Sequence, residues 1–190
     1  MFQSDVITLP RHSMIALCGP PAAGKSTLAK AVVERNGLMP TAVVSSDICR
    51  LAICDDPKAI GRDKARALHR DTFQLFALTI EMRMTMGVPV IADTVNLWPS
   101  EWLPNGGDRV GLLHLARRHG YYAALVVFDV SLETCLVQNR QREKSRQVDE
   151  EGIPYLRQRL DEALPLLPEE GWDQVVILRE NRQAVLIDLI

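Results

Sequence analysis

The chain has 190 residues, with 22 Lys and Arg against 24 Asp and Glu, for a formal net charge of −2. Hydrophobic residues make up 47% and charged residues 24%, the balance of an ordinary globular protein, and the length suits one core rather than two. That charge excludes attraction of nucleic acid by the molecule as a whole, leaving only a local basic groove, and with no run of 18 apolar residues no membrane span is expected.

In chain order, Met14–Cys18 (MIALC) reads as a first strand that runs at once into a glycine-containing turn. Lys25–Asn36 reads as a helix ended by Gly37 and Pro40, and Thr41–Ser45 as a second strand. Arg62–Met86 is a long helical stretch whose apolar face includes Leu68, Phe73, Phe76 and Ile80, closed by Gly87. Val88–Ala92 is a third strand, and Trp98–Asp108 a Pro- and Gly-containing loop with Trp98 and Trp102. A helix over Arg109–His119, a strand over Ala123–Phe128, helices over Leu132–Arg142 and Ile153–Leu164, and a fifth strand over Gln174–Leu178 follow. The tail Arg182–Ile190 reads as a last helix docked on the core. Strands that are continuous apolar runs alternating with helices predict an α/β, three-layer domain with a five-stranded parallel sheet flanked by helices. Residues 1–190 are read as a single domain.

Cys18, Cys49, Cys54 and Cys135 form no Cys-x-x-Cys pair and no zinc spacing, so they read as reduced thiols. The N-terminus, MFQSDVITLPRHS, has no secretory pattern, and a cytoplasmic location is expected. No protein partner is expected.

Gly19-Pro20-Pro21-Ala22-Ala23-Gly24-Lys25-Ser26 matches G-x-x-x-x-G-K-[ST] between a predicted strand and a predicted helix, so the α/β domain is expected to have the three-layer P-loop NTPase fold with a helical lid. A tight turn there aims backbone N–H groups at phosphate oxygens. Lys25 places a cation on the β- and γ-phosphates, Ser26 offers a hydroxyl to Mg²⁺, and the helix N-terminus that continues through Thr27 adds its positive dipole end. The expected cofactors are ATP, or another NTP, and Mg²⁺.

Ligands of parallel α/β sheets lie beyond the carboxyl ends of the strands. Asp47, after the second strand, is therefore placed either to accept the proton of an attacking hydroxyl or to cap the next helix. Arg50, one turn on, can hold a substrate phosphate. Asp93, after the third strand, can order Mg²⁺ directly or through its waters, and Thr94 and Asn96 can bond the acceptor; the alternative is a polar turn. The charged run Gln138–Arg146 stands where small P-loop kinases carry a lid, with Arg140, Arg142 and Arg146 able to close on the triphosphate. His12, His69, His114 and His119 have no paired spacing and are assigned no chemistry.

Four segments, GPPAAGKSTLAK, VVSSDICRLAICDD, PVIADTVN and CLVQNRQREKSRQV, stand in the order of a known family. Over about residues 14 to 180 the chain resembles the kinase module of bacterial polynucleotide kinase-phosphatases and phage polynucleotide kinases. The resemblance implies transfer of the ATP γ-phosphate to the 5′-hydroxyl of DNA or RNA in nucleic-acid repair. Asp47 would be the general base, Arg50 would hold the acceptor phosphate, and Arg142 and Arg146 would be the lid arginines. The chain departs from that pattern at Asp93-Thr94-Val95-Asn96, where the threonine falls one place early, and at Gln138, which stands where the first lid arginine belongs. Two other readings fit the same motifs: a kinase of a small-molecule hydroxyl (sugar, antibiotic or nucleotide-sugar), and a regulatory ATPase with no acceptor site.

Overall fold

The computed structural model describes residues 6–56, 61–99, 108–180 and 185–190. Its main sheet has five parallel strands: β2 (Ser13–Cys18), β3 (Val43–Ser45), β4 (Val90–Asp93), β5 (Tyr122–Asp129) and β6 (Gln174–Arg179), in the spatial order β3-β4-β2-β5-β6. The strand entering the glycine turn is thus central, and Leu17 of β2 stands in register with Asp93 of β4 on one side and Val126 of β5 on the other. Strands covered on both faces need apolar residues at every position. Accordingly β2 is buried along its whole length.

Side chains alternate between two clusters, as a strand requires. Met14, Ala16 and Cys18 join Phe76, Ile80 and Met84 of α3 (Arg62–Thr85) and Leu112 and Leu115 of α4 (Arg109–Arg118). Ile15 and Leu17 join Ala29, Val32 and Val33 of α1 (Lys25–Arg35) on the opposite face. The remaining helices are α2 (Ser46–Ile53), α5 (Leu132–Gln141) and α6 (Gly152–Ala163). The second strand is shorter than expected, because Pro40–Ala42 form a 3-10 turn ahead of Val43.

The tail corrects the sequence reading. Leu186–Leu189 is a strand, β7, and pairs in parallel with β1 (Val6–Leu9), Val6 opposite Leu186. Val185, Ile187 and Leu189 are buried in alternation, a period of two that a helix cannot satisfy. Asn36, just past the end of α1, ties this small sheet down. Its Nδ2 donates to Val32 O and Ile187 O at 2.8 Å each, and its Oδ1 accepts from Leu189 N at 2.7 Å. Arg35 pairs with Asp188 beside it.

Of the long loop before α4, Trp98 packs against the core and its carbonyl accepts from Arg109 N at 3.3 Å. Trp102 lies outside the described residues. Among the described residues no helix is long and apolar enough to cross a membrane.

Candidate functional site

The turn after β2 is built from left-handed backbone. Gly19, Ala22 and Gly24 have φ of 146°, 62° and 96°, and α1 starts at Lys25 directly after Gly24. A side chain at Gly19 has no room, because a Cβ there would lie 3.0 Å from both Cβ and O of Phe128 on β5. Lys25 folds back into the turn, and its Nζ donates to Gly19 O at 2.9 Å and Pro20 O at 2.6 Å. Burial pushes the Lys25 ammonium down to about 8, against the opposing pull of the Asp93 carboxylate.

Ser26 Oγ donates to Asp93 Oδ2 at 2.7 Å, across from α1 to the end of β4. Burial raises the Asp93 carboxyl above its usual range, while the bond from Ser26 and the charge of Lys25 pull it back. A hydroxyl and one carboxylate side by side suit Mg²⁺, which takes most of its remaining ligands from phosphate oxygens and water. Among the described residues no three His, Cys, Asp or Glu side chains gather into a closed metal cage. The donor set therefore fits a metal that arrives with a triphosphate.

Asp47 and Arg50 lie on α2, which begins immediately beyond β3. They form an i,i+3 ion pair, Arg50 Nη1 to Asp47 Oδ1 at 3.6 Å. Asp47 is 58% exposed. The N-cap position of the helix is Ser45, and Asp47 lies within its first turn. Both residues line a cavity of about 990 Å³, bounded by α1, β3, α2, α3 and the segment around Arg146. Ser26 and Asp93 line the same cavity, so the first turn of α1 and the Asp47–Arg50 pair open on one space. Arg142 is half-buried. Its guanidinium is destabilised by burial and by Arg146, and favoured by Asp47 and Asp93. It feels both carboxylates and, in turn, acts on Lys25.

Ser26, Asp47, Arg50, Asp93 and Arg146 thus line one cavity, Lys25 and Arg142 are coupled to its carboxylates by charge, and three other candidates do neither. Thr94 is buried and its hydroxyl oxygen accepts from Ser46 Oγ at 3.0 Å, tying α2 to β4. Asn96 is buried beneath the turn, with φ 47°, and its Nδ2 donates to Leu17 O at 2.8 Å. Both therefore hold the framework together and are not among the residues lining the cavity. Arg140 pairs with Glu150 at the surface, Nε to Oε1 at 2.8 Å, and is likewise outside the lining.

His69, which sequence spacing left without a role, lines the cavity from α3 and stacks edge-on against Phe73, ring centroids 4.9 Å apart. Burial lowers its pKa, and the Arg50 charge lowers it further. The only local sign was its place one residue after Leu68 on the helix that faces α2.

The AAA domain family matches residues 14–163, and no curated protein matches the chain. Among solved structures, the PezAT toxin-antitoxin system of Streptococcus pneumoniae is similar with a TM-score of 0.63 and 14% identity, over 95% of this chain and 71% of that one. Shikimate kinase from Acinetobacter baumannii, solved with shikimate, has a TM-score of 0.58 and 18% identity, over 90% and 85%. A candidate kinase from Chloroflexus aurantiacus has a TM-score of 0.57 and 17% identity, over 90% and 86%. At these identities the structures speak for fold. The chain belongs to the AAA domain family, and it shares the fold of these structures, shikimate kinase among them.

Proposed function

We propose that this protein is an ATP-dependent phosphotransferase that phosphorylates the hydroxyl of a small organic molecule. The observation that carries the reading is the shared cavity: its volume of about 990 Å³ is that of a small-molecule pocket, and it joins Asp47 and Arg50 to the phosphate end at Ser26 and Asp93. That a fold neighbour is a kinase solved with shikimate bound is in keeping with it.

In this reading the backbone N–H groups of the turn and the start of α1 hold the triphosphate, and Lys25 leaves its carbonyl partners for the phosphates. Ser26 and Asp93 would hold Mg²⁺, which would supply positive charge to neutralise the phosphates. Asp47 accepts the acceptor's hydroxyl proton while Arg50 orients the molecule, and Arg142 and Arg146 stabilise charge spreading over the γ-phosphoryl in an in-line displacement. The O–P bond to the acceptor forms as the bond to the ADP leaving oxygen breaks, and the proton ends on the Asp47 carboxylate.

A polynucleotide 5′-hydroxyl is the second reading, favoured by the Ser46-Asp47-Ile48-Cys49-Arg50 box with Arg50 inside the cavity. The two separate in one experiment. The purified protein is incubated with γ-labelled ATP, Mg²⁺, a panel of sugars, antibiotics and nucleotide-sugars, and 5′-hydroxyl DNA and RNA oligonucleotides, with Lys25→Ala as control. Label on a small molecule, lost in the control, is expected. Label on an oligonucleotide end instead transfers the assignment to the second reading. ATP hydrolysis with no label on any acceptor leaves a regulatory ATPase. Asp47→Asn should keep ATP binding and slow transfer by about 10² or more; unchanged turnover refutes its role as base.

A further inference from the structure

Two apolar side chains stand open beside the proposed base. Ile48 and Leu51, on α2 next to Asp47 and Arg50, are 64% and 53% exposed, and both face the cavity. The space continues along apolar surface, with Val33 of α1, Val43 of β3 and Leu68 of α3 in its wall. Left open, such a surface holds ordered water that an apolar ligand releases.

The charged groups of the lining balance by sign. Lys30, Arg50 and Arg146 stand against Glu34, Asp47 and Asp93, and Lys30 and Glu34 are exposed side chains one helical turn apart. A polyanionic acceptor needs a net positive field along its path beyond the groups that meet the triphosphate, and the lining groups do not make one. A polyol needs closely spaced hydrogen-bonding groups around its whole body. Here the side chains of Val33, Val43, Ile48, Leu51 and Leu68 offer none, and the uncharged polar groups of the lining are few, Ser26, Ser45 and Gln147 with the His69 ring.

We infer that the ligand of this cavity is amphiphilic: one polar end sits at Asp47 and Arg50, and an aromatic or branched-alkyl body covers Ile48, Leu51, Val43 and Leu68. Naming that ligand as the phosphoryl acceptor, an alcohol with an apolar body, rests on the kinase reading above. The shape of the ligand does not, because it follows from the walls alone.

The test separates the two. The full chain is saturated with ADP and Mg²⁺ and titrated with 8-anilinonaphthalene-1-sulfonate, a probe with an aromatic body and one anionic group, following its fluorescence. Ile48→Glu and Leu51→Glu change exposed positions on the cavity side. Met82→Glu, at an exposed apolar position of α3 outside the lining, is the control. Binding of a fluorescent ADP analogue confirms that each variant is folded and competent. The expected result is one saturable probe site, weakened about tenfold or more in Ile48→Glu and in Leu51→Glu by loss of apolar contact and charge repulsion, and unchanged in Met82→Glu. Absence of a saturable site, or equal affinity in the cavity variants and the wild type, or equal weakening in Met82→Glu, overturns the inference. Label transfer is then measured with aryl and branched-alkyl alcohols beside glycerol, glucose and 5′-hydroxyl oligonucleotides. Transfer to polyols or oligonucleotides in preference to the apolar alcohols also overturns it while leaving the kinase reading intact. A confirmed probe site with no transfer to any hydroxyl instead removes the kinase reading and leaves the ligand class standing.

Discussion

Lys25 gives the sharpest quantitative expectation. Without nucleotide its ammonium is buried, bonded only to the neutral carbonyls of Gly19 and Pro20, and its pKa is lowered from 10.5 to about 8. Phosphate oxygens arriving in the turn replace those carbonyls by anions and draw the pKa back up. Binding must then take up the proton that the free protein lacks. At pH 7 about a tenth of the free protein is deprotonated at Lys25, at pH 8 about half and at pH 9 about nine-tenths, so uptake should rise from about 0.1 to about 0.5 to about 0.9 proton per ATP. The sign follows from the direction of the shift: affinity is undiminished below the free-state pKa and falls as pH rises through it, approaching tenfold per pH unit until the bound-state pKa is reached. Calorimetric titration of ATP-Mg²⁺ in buffers of different ionisation enthalpy reads the proton count directly, and Lys25→Met should abolish the rise. Equal uptake at pH 7 and pH 9, or a rise that survives in Lys25→Met, would refute the reasoning. Binding is a cleaner readout than unfolding here. Between pH 9 and 11 the thiol of Cys18, raised to about 11 by burial, makes stability fall with pH and opposes the gain from Lys25.

Two further perturbations test the framework. Gly19→Ala places a Cβ 3.0 Å from Cβ and O of Phe128, at a φ of +146°, so it should cost about 2–4 kcal/mol in urea unfolding and weaken ATP binding. Phe128→Leu should not rescue it, since both clashing atoms remain; full rescue would mean that the ring is the obstacle. Arg109, fully buried, grips Glu170 through Nη2 at 2.6 Å and Nε at 2.8 Å. Arg109→Met should therefore destabilise by about 3–5 kcal/mol, while Arg109→Met with Glu170→Leu should recover most of the loss; additive losses in urea unfolding would contradict that coupling.

Much of this architecture was legible because local and global preferences agree. The short apolar runs over Met14–Cys18 and Ala123–Phe128 fit buried strands of a covered sheet, and the glycine turn between strand and helix fits a phosphate cradle. Asp47 and Arg50 could be placed at the sheet's carboxyl edge by topology alone. The rest depended on partners far away in the chain. Whether Thr94 faces a ligand or Ser46 is decided by a residue 48 positions earlier, and Arg140 was taken by Glu150 across a turn. The tail misled because Leu186–Ile190 is apolar enough for either element. It became a strand because Val6–Leu9 offers it a ladder and Asn36 satisfies its backbone. His69 carried no spacing signal, since its neighbour in the cavity is Arg50 on another helix.

Asn96 explains why a residue absent from the ligand space can still matter to the chemistry. Its left-handed backbone turns the chain beneath β2, where its Nδ2 holds Leu17 O and its carbonyl accepts from Cys18 Sγ at 3.2 Å and from Arg109 Nη1 at 3.1 Å. One residue earlier, Val95 O accepts from Gly19 N at 3.0 Å. Three consecutive residues at the root of the phosphate turn, Leu17, Cys18 and Gly19, are thus each bonded to the segment that follows Asp93. Ser26 bonds Asp93 itself from the far side of the turn. The turn is consequently held at both ends by the strand that supplies the carboxylate. A phosphate cradle works only if its N–H groups are aimed before the ligand arrives, since reorganisation at that moment would consume the binding energy. Asparagine suits the post because its short amide tolerates positive φ and still reaches a strand carbonyl. Its burial is therefore the condition under which Lys25, Ser26 and Asp93 share a fixed geometry.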